Sequence, residues 1–192
     1  MEKENFGIDI DEVVVPFMKG YLKFHNKKHF TSFKLNDITS YHLWECGIHS
    51  SKEESIKEVL EFERSAFFDF PRLIYGAKRG IEELSKKYSL VFVTSRPFEL
   101  KEKTREFFYR HFPNNGYEFL FSGEIHGGKS KSEICKEKNI RLMIEDNAQY
   151  ALECALNEIK TFLLPKSWNK KYEKHPNLIK VKNWNEILKY LN

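Results

Sequence analysis

A chain of 192 residues, 41% hydrophobic and 15% aromatic, can bury one compact core but is too short for two full domains of about 100–150 residues each. Its 32 basic and 28 acidic residues leave a net charge of +4, a mixed surface unlike a strongly basic nucleic-acid face, although phosphate-bearing small molecules stay open. No run approaches the ~20 apolar residues of a membrane helix, and the polar opening Met1-Glu2-Lys3-Glu4-Asn5 lacks a signal peptide's apolar region. A cytoplasmic protein without membrane partners is therefore expected. Cys46, Cys135 and Cys154 lack metal or disulfide spacing and read as buried structural thiols.

Phe6-Gly7-Ile8-Asp9-Ile10-Asp11 reads as a short buried strand that switches abruptly to carboxylates. The segment from Pro16 to about Phe70 breaks the strand–helix alternation that follows it, with aromatic-rich helical pieces and the run Ile56, Val59, Leu60, Phe67. Buried-strand runs follow at Ser89-Leu90-Val91-Phe92-Val93-Thr94, Glu118-Phe119-Leu120-Phe121-Ser122, Leu142-Met143-Ile144-Glu145, Thr161-Phe162-Leu163-Leu164 and, more weakly, Leu178-Ile179-Lys180-Val181. Between them, Ala77, Ile81, Leu84 and Tyr88 repeat at helical spacing, as do Leu100, Thr104, Phe107/Phe108 and His111, and Ala148, Ala151, Leu152 and Ala155. Capping boxes at Ser51-Lys52-Glu53-Glu54 and Ser130-Lys131-Ser132-Glu133 mark two helix starts. The expected fold class is α/β: a Rossmann-like parallel sheet with helices on both faces and a small helical cap inserted after the first strand. Residues 1–15 and 71–192 are assigned to the core and 16–70 to the cap.

Ligands of an open parallel sheet bind at the carboxyl ends of its strands. Here those ends carry Asp9 and Asp11, then Thr94-Ser95-Arg96, then Glu145-Asp146. Carboxylates facing one another across neighbouring strands repel unless a cation sits between them, and an all-oxygen set suits Mg2+. Asp9 and Asp11 could instead be turn residues capping a helix, and Thr94 a plain strand-end hydroxyl.

The set resembles the haloacid dehalogenase superfamily of phosphohydrolases from Phe6 to about Leu164. Asp9-Ile10-Asp11-Glu12-Val13 matches its Asp-x-Asp-x-Thr/Val motif, Val91-Phe92-Val93-Thr94 its strand ending in a hydroxyl, Lys131 its helix-start lysine, and Ile144-Glu145-Asp146 its acidic pair. The resemblance implies Asp9 as a nucleophile, ionised at neutral pH without any shift, and Asp11 as general acid and then base. It implies Thr94 and Lys131 on the phosphoryl group, Ser95 beside them, and Mg2+ held by Asp9, the backbone carbonyl of Asp11 and Asp146, with Glu145 supporting. Lys129 is the alternative to Lys131. Glu12 stands where many members carry a small residue, pointing either to solvent or to a cap contact.

Asp11 and Thr94 lie 83 positions apart, far more than a βα connection of about 30 requires, so the insertion falls between the first two motifs. Thr94-Ser95-Arg96-Pro97, Lys131-Ser132-Glu133-Ile134-Cys135-Lys136 and Met143-Ile144-Glu145-Asp146-Asn147 resemble the deoxyribonucleotidase-like branch, cytosolic 5′-nucleotidase type C. That implies a nucleoside monophosphate as the small phosphomonoester substrate and base stacking at Phe17, with Tyr41, His42 and Trp44 enlarging the platform; each aromatic could equally be core. The remaining His residues, His126 among them, read as surface or core, and nothing in the sequence requires Trp168-Asn169, in the charged loop after the fifth strand, to border the site. Phosphatase action on another metabolite or on nucleic-acid ends, phosphotransfer, haloacid hydrolysis and a non-catalytic phosphate-binding module are the alternatives. The oligomeric state is open, a homodimer included.

Overall fold

The computed structural model describes residues 3–69, 72–113, 115–122 and 128–191; His126 lies outside them. Six strands, β1 (Asn5–Ile8), β2 (Ser89–Thr94), β3 (Glu118–Phe121), β4 (Leu142–Glu145), β5 (Lys160–Leu163) and β6 (Leu178–Lys180), form one sheet in the order β3-β2-β1-β4-β5-β6, every pair parallel. Because successive residues point to opposite faces, the sheet is apolar on both sides. Phe6, Ile8, Phe92, Ile144 and Phe162 enter one apolar cluster, whereas Val91, Val93 and Met143 enter another. The second is closed by α5 (Lys131–Glu137) and α6 (Ala148–Leu156), the first by α3 (Ala77–Lys87), α4 (Lys101–His111) and α7 (Trp184–Leu191). Helices thus cover both faces, as the apolar strands predict.

The order reverses at β1, whose neighbours are β2 and β4. Loops leaving β1 and β4 run to opposite sides there, opening a crevice at the carboxyl edge. Ile8 stands opposite Ile144, and the Asp9 N–H donates to the Ile144 carbonyl at 3.0 Å, so Asp9 emerges beside Glu145 and Asp146. The turn after β1 is fixed from behind: Trp184 Nε1 donates to the Val13 carbonyl at 3.0 Å. A side chain at Gly80 would put its Cβ 2.2 Å from Trp184 Cε3, so the bare backbone of α3 is what lets this indole lie flat.

Between β1 and α3 the chain is helical, with α1 (Phe17–His29), α2 (Lys52–Arg64) and short 3-10 turns. Ser51 caps α2 by accepting from the Glu54 N–H, but Glu54 turns its carboxylate to Ser50 instead, so the expected reciprocal box there is only half made. The box at Ser130 and Glu133 is complete. Cys135 and Cys154 are buried, whereas Cys46 is only partly so, correcting the expectation of three buried thiols. The histidines of this segment are likewise more than filler. His25, His29 and Tyr21 of α1 converge on Glu58 of α2, joined by His49.

Candidate active site

Four buried ionisable side chains meet outside β1 and β4. Lys131, first residue of α5, donates to Asp9 Oδ1 at 2.5 Å and to Glu145 Oε1 at 2.6 Å. The Ser130 cap starts α5 at that residue, and this start aims the lysine back at the strand ends. Lys129 is exposed and pairs with Glu137. Glu145 spends its other oxygen on the N–H of Asp146 at 2.7 Å, which makes it a brace for the following turn. Asp146 accepts from Trp168 Nε1 at 3.0 Å, and Asn169 Nδ2 donates to its carbonyl at 2.7 Å. Trp168 thus touches the acidic group directly, a role the sequence reading left unassigned.

One lysine faces three buried carboxylates. Burial pushes Asp9 well above the carboxylate range, Glu145 pushes it further, and Lys131 opposes both. Asp146 is driven the same way by burial and then by Glu145 and Asp9. Lys131 would be lowered by burial, but Asp9 and Glu145 hold it well above its ordinary value, so it is a cation. The expectation that Asp9 is ionised without any shift is therefore corrected: its charge depends on compensation, and Lys131 supplies only part of it. Ligand oxygens of Asp9, Glu145 and Asp146 lie within 4.8 Å of one another. An under-neutralised all-oxygen cluster of this kind is what a divalent hard cation fits.

Asp11 lies apart from that group. Both its oxygens are taken by Arg96, with Nε to Oδ2 at 2.8 Å and Nη2 to Oδ1 at 2.7 Å. Arg96 is buried, donates also to Thr104 Oγ1 at 3.0 Å and lies 4.8 Å over the Phe68 ring. In the sequence Arg96 stands only inside the Thr94-Ser95-Arg96-Pro97 motif, and a cation directly after a strand at a carboxylate-rich edge is the signal that marks it. Thr94 is buried at the end of β2 and accepts from the Arg96 N–H at 3.2 Å, while Ser95 is half-buried beside Ser122.

Glu12 adopts a left-handed φ of 59°. This turns its carboxylate inward, where it accepts from the Met18 N–H at 2.7 Å and pairs with Lys166 at 2.9 Å. The uncovered first turn of α1 gains an acceptor that the Pro16 cap lacks. Phe17 is half-buried, parallel to Tyr21 at 6.5 Å and edge-on to Phe62 at 5.2 Å and Phe68 at 6.2 Å. Trp44 stacks on His42 at 4.4 Å, and Tyr41 lies edge-on to Tyr150, whose ring is 5.1 Å from Lys131 Nζ. The insert and the carboxylate group therefore share an aromatic border at Tyr41 and Tyr150.

The family model described as 5′ nucleotidase, deoxy (Pyrimidine), cytosolic type C protein matches residues 4–191. The chain is similar to the nucleotidase CA_C3379 of Clostridium acetobutylicum, 28% identical over 190 residues, 97% of this chain and 93% of that one. It is also similar to YqfW of Bacillus subtilis, 28% identical over 189 residues, 97% of this chain and 92% of the other. Among solved structures, the haloacid dehalogenase-like hydrolase SP0104 of Streptococcus pneumoniae superposes with a TM-score of 0.65 at 14% identity, covering 99% of both chains. That likeness shows the fold.

Proposed function

The chain belongs to the family of 5′ nucleotidase, deoxy (Pyrimidine), cytosolic type C proteins, a phosphomonoester hydrolase group of the haloacid dehalogenase fold, and on that premise we propose that it hydrolyses nucleoside 5′-monophosphates through an aspartyl-phosphate on Asp9. The observation that carries the reading is the convergence of Asp9, Lys131, Glu145 and Asp146 at the β1/β4 crevice, with Asp11 two residues beyond the nucleophile. Asp9, the Asp11 backbone carbonyl and Asp146 would hold Mg2+, whose chemistry is to neutralise phosphoryl oxygens so that an anionic carboxylate can approach phosphorus.

The chain's own groups supply the rest. Lys131 holds Asp9 oriented and offsets its charge as an Asp9 oxygen bonds to phosphorus and the ester P–O bond breaks. Asp11 gives its proton to the leaving alkoxide; it then takes one from the water that attacks the acyl phosphate, so that Asp9 and inorganic phosphate are regenerated. For either transfer Asp11 frees at least one oxygen from Arg96. Thr94, with Ser95 beside it, donates a hydroxyl hydrogen bond to the phosphoryl oxygens. Residues 16–70 act as the cap over this edge, and Phe17, with Tyr41 and Trp44, offers rings to the base. The family description supports a nucleotide substrate and a cytoplasmic setting, and among the described residues no helix is long and apolar enough to cross a membrane.

The test is phosphate release from a panel of nucleoside 5′-monophosphates and one base-free alkyl phosphate, with Mg2+ and with chelator. Release that needs Mg2+ and prefers nucleotides is expected. Preference for the base-free ester would overturn the substrate class, and release undiminished by chelator would overturn the metal.

A further inference from the structure

The helical insert contains a second cluster of metal-binding side chains, which the phosphatase chemistry does not use. His25 and His29 lie one turn apart on α1 and so share a face. From α2, Glu58 offers one oxygen to each: Oε1 is 2.5 Å from His25 Nδ1, and Oε2 is 2.5 Å from His29 Nε2. His49, in the loop before α2, brings its Nε2 to 3.9 Å from Glu58 Oε1. Tyr21 Oη lies 3.0 Å from the same oxygen and 2.5 Å from His49 Nε2.

Glu58, His25 and His49 are each at most 6% exposed, whereas the His29 side chain is 38% exposed. The cluster is thus closed on three sides and open on one, which gives an ion a way in. The donor atoms of His25, His29 and Glu58 all lie within 4.8 Å of one another. Tetrahedral ligands placed about 2.0–2.1 Å from zinc stand roughly 3.3 Å apart, so small side-chain shifts bring these atoms to bonding distance.

The geometry points to a zinc-class transition-metal site in the insert, formed by His25 Nδ1, His29 Nε2 and a Glu58 oxygen, three protein donors that leave the fourth tetrahedral position to water. Imidazole-rich sets select Zn2+ or its neighbours over Mg2+, which prefers oxygen and keeps its waters, so this site and the carboxylate crevice call for different ions. Binding releases the imidazole protons that now point at Glu58, while His49 stays on Tyr21 behind the ligand set. Lys28, 3.4 Å from Glu58 Oε2, is already held by Glu61 at 2.5 Å and remains there. The ion would tie α1 to α2, a staple for a segment too small to carry a large core of its own.

The experiment uses the full chain, stripped with chelator and returned to excess Mg2+ so that the oxygen-rich crevice is satisfied. Zn2+ is titrated against a chromophoric competitor, and Co2+ is added as a spectroscopic stand-in. One equivalent of Zn2+ and tetrahedral Co2+ bands are expected. Both should weaken by at least about tenfold in His29→Ala and in His29→Gln, while Asp146→Asn keeps them. His29 lies outside the catalytic group, so phosphate release in these variants reports that they are folded. Absence of tetrahedral bands in the unmutated protein would show that the cluster is a hydrogen-bonded ion network without metal, and binding unchanged in both His29 variants would equally overturn the assignment.

Discussion

Arg96 grips Asp11 with two nitrogens at 2.7 and 2.8 Å although the two residues are 85 positions apart. The guanidinium is itself fixed by Thr104 and lies over the ring of Phe68, which belongs to the helical insert. The proposed acid–base residue is therefore held by a side chain that also packs on the insert. A lysine at this position keeps the charge but cannot form the planar two-point contact. Arg96→Lys should lower kcat by about 10- to 100-fold with a much smaller change in KM, since Asp11 would be present but misplaced. Equal kcat values in the two proteins would separate the grip from catalysis.

Asp9 and Asp11 should be separable by their failures. Asp9→Asn removes the proposed nucleophile and should abolish turnover, whereas Asp11→Asn should retain binding of Mg2+ and phosphate while slowing turnover by about 10²–10⁴-fold. Rapid-quench detection of a phosphorylated protein checks the covalent step. An Asp9→Asn enzyme running at the unmutated rate would mean that water attacks phosphorus directly.

Trp168 donates its indole N–H to Asp146 at 3.0 Å, and burial with neighbouring charge already pushes that carboxylate towards its protonated form. Trp168→Phe keeps most of the ring and deletes the donor. Loss of an outer hydrogen bond to a metal-binding carboxylate typically weakens metal affinity by about 10- to 100-fold. The Mg2+ concentration giving half-maximal phosphate release should rise accordingly, and an unchanged value would leave Trp168 with packing alone.

The parallel, doubly covered sheet and the polarity switch at its carboxyl edge are legible in the sequence because strands buried on both faces must be apolar until they end. Ile8 before Asp9 and Ile144 before Glu145 show that switch within one residue. What the sequence concealed depends on distant backbone geometry. Nothing in Glu12 itself reveals a φ of 59° that turns it onto the Met18 N–H. Likewise, the i, i+4 pair His25 and His29 acquires meaning only when α2 brings one Glu58 oxygen to a nitrogen of each ring.

Phe17 tests the substrate class. Its ring is half-buried against Tyr21, Phe62 and Phe68, so truncation will cost some packing whatever the substrate. Stacking a base on an aromatic ring contributes about 1–3 kcal/mol. Phe17→Ala should therefore lower kcat/KM for a nucleoside monophosphate about ten- to a hundredfold more than for a base-free ester. Parallel losses on both substrates would make Phe17 a packing residue.

Glu63 on α2 gives a pH dependence whose sign follows from its surroundings. Burial, with Asp11 adding to it and Arg96 opposing, raises its carboxyl from 4.5 to about 7. In the unfolded chain the group loses its proton near 4.5 and in the fold only near 7, so between those values the folded protein holds a proton that the unfolded chain has released. Its favourable contribution is complete below the lower value and lost as pH rises through the upper one. Glu63→Gln mimics the protonated carboxyl at every pH. Relative to the unmutated protein, it should be nearly neutral at the acidic end of this window and stabilising by about 3 kcal/mol above it. Urea unfolding of both proteins across the window, in chelator so that no bound cation shifts the local field, measures the difference. Stability profiles that stay parallel over the whole range would show that Glu63 is ionised in the fold and that the crowding by Asp11 is offset by Arg96.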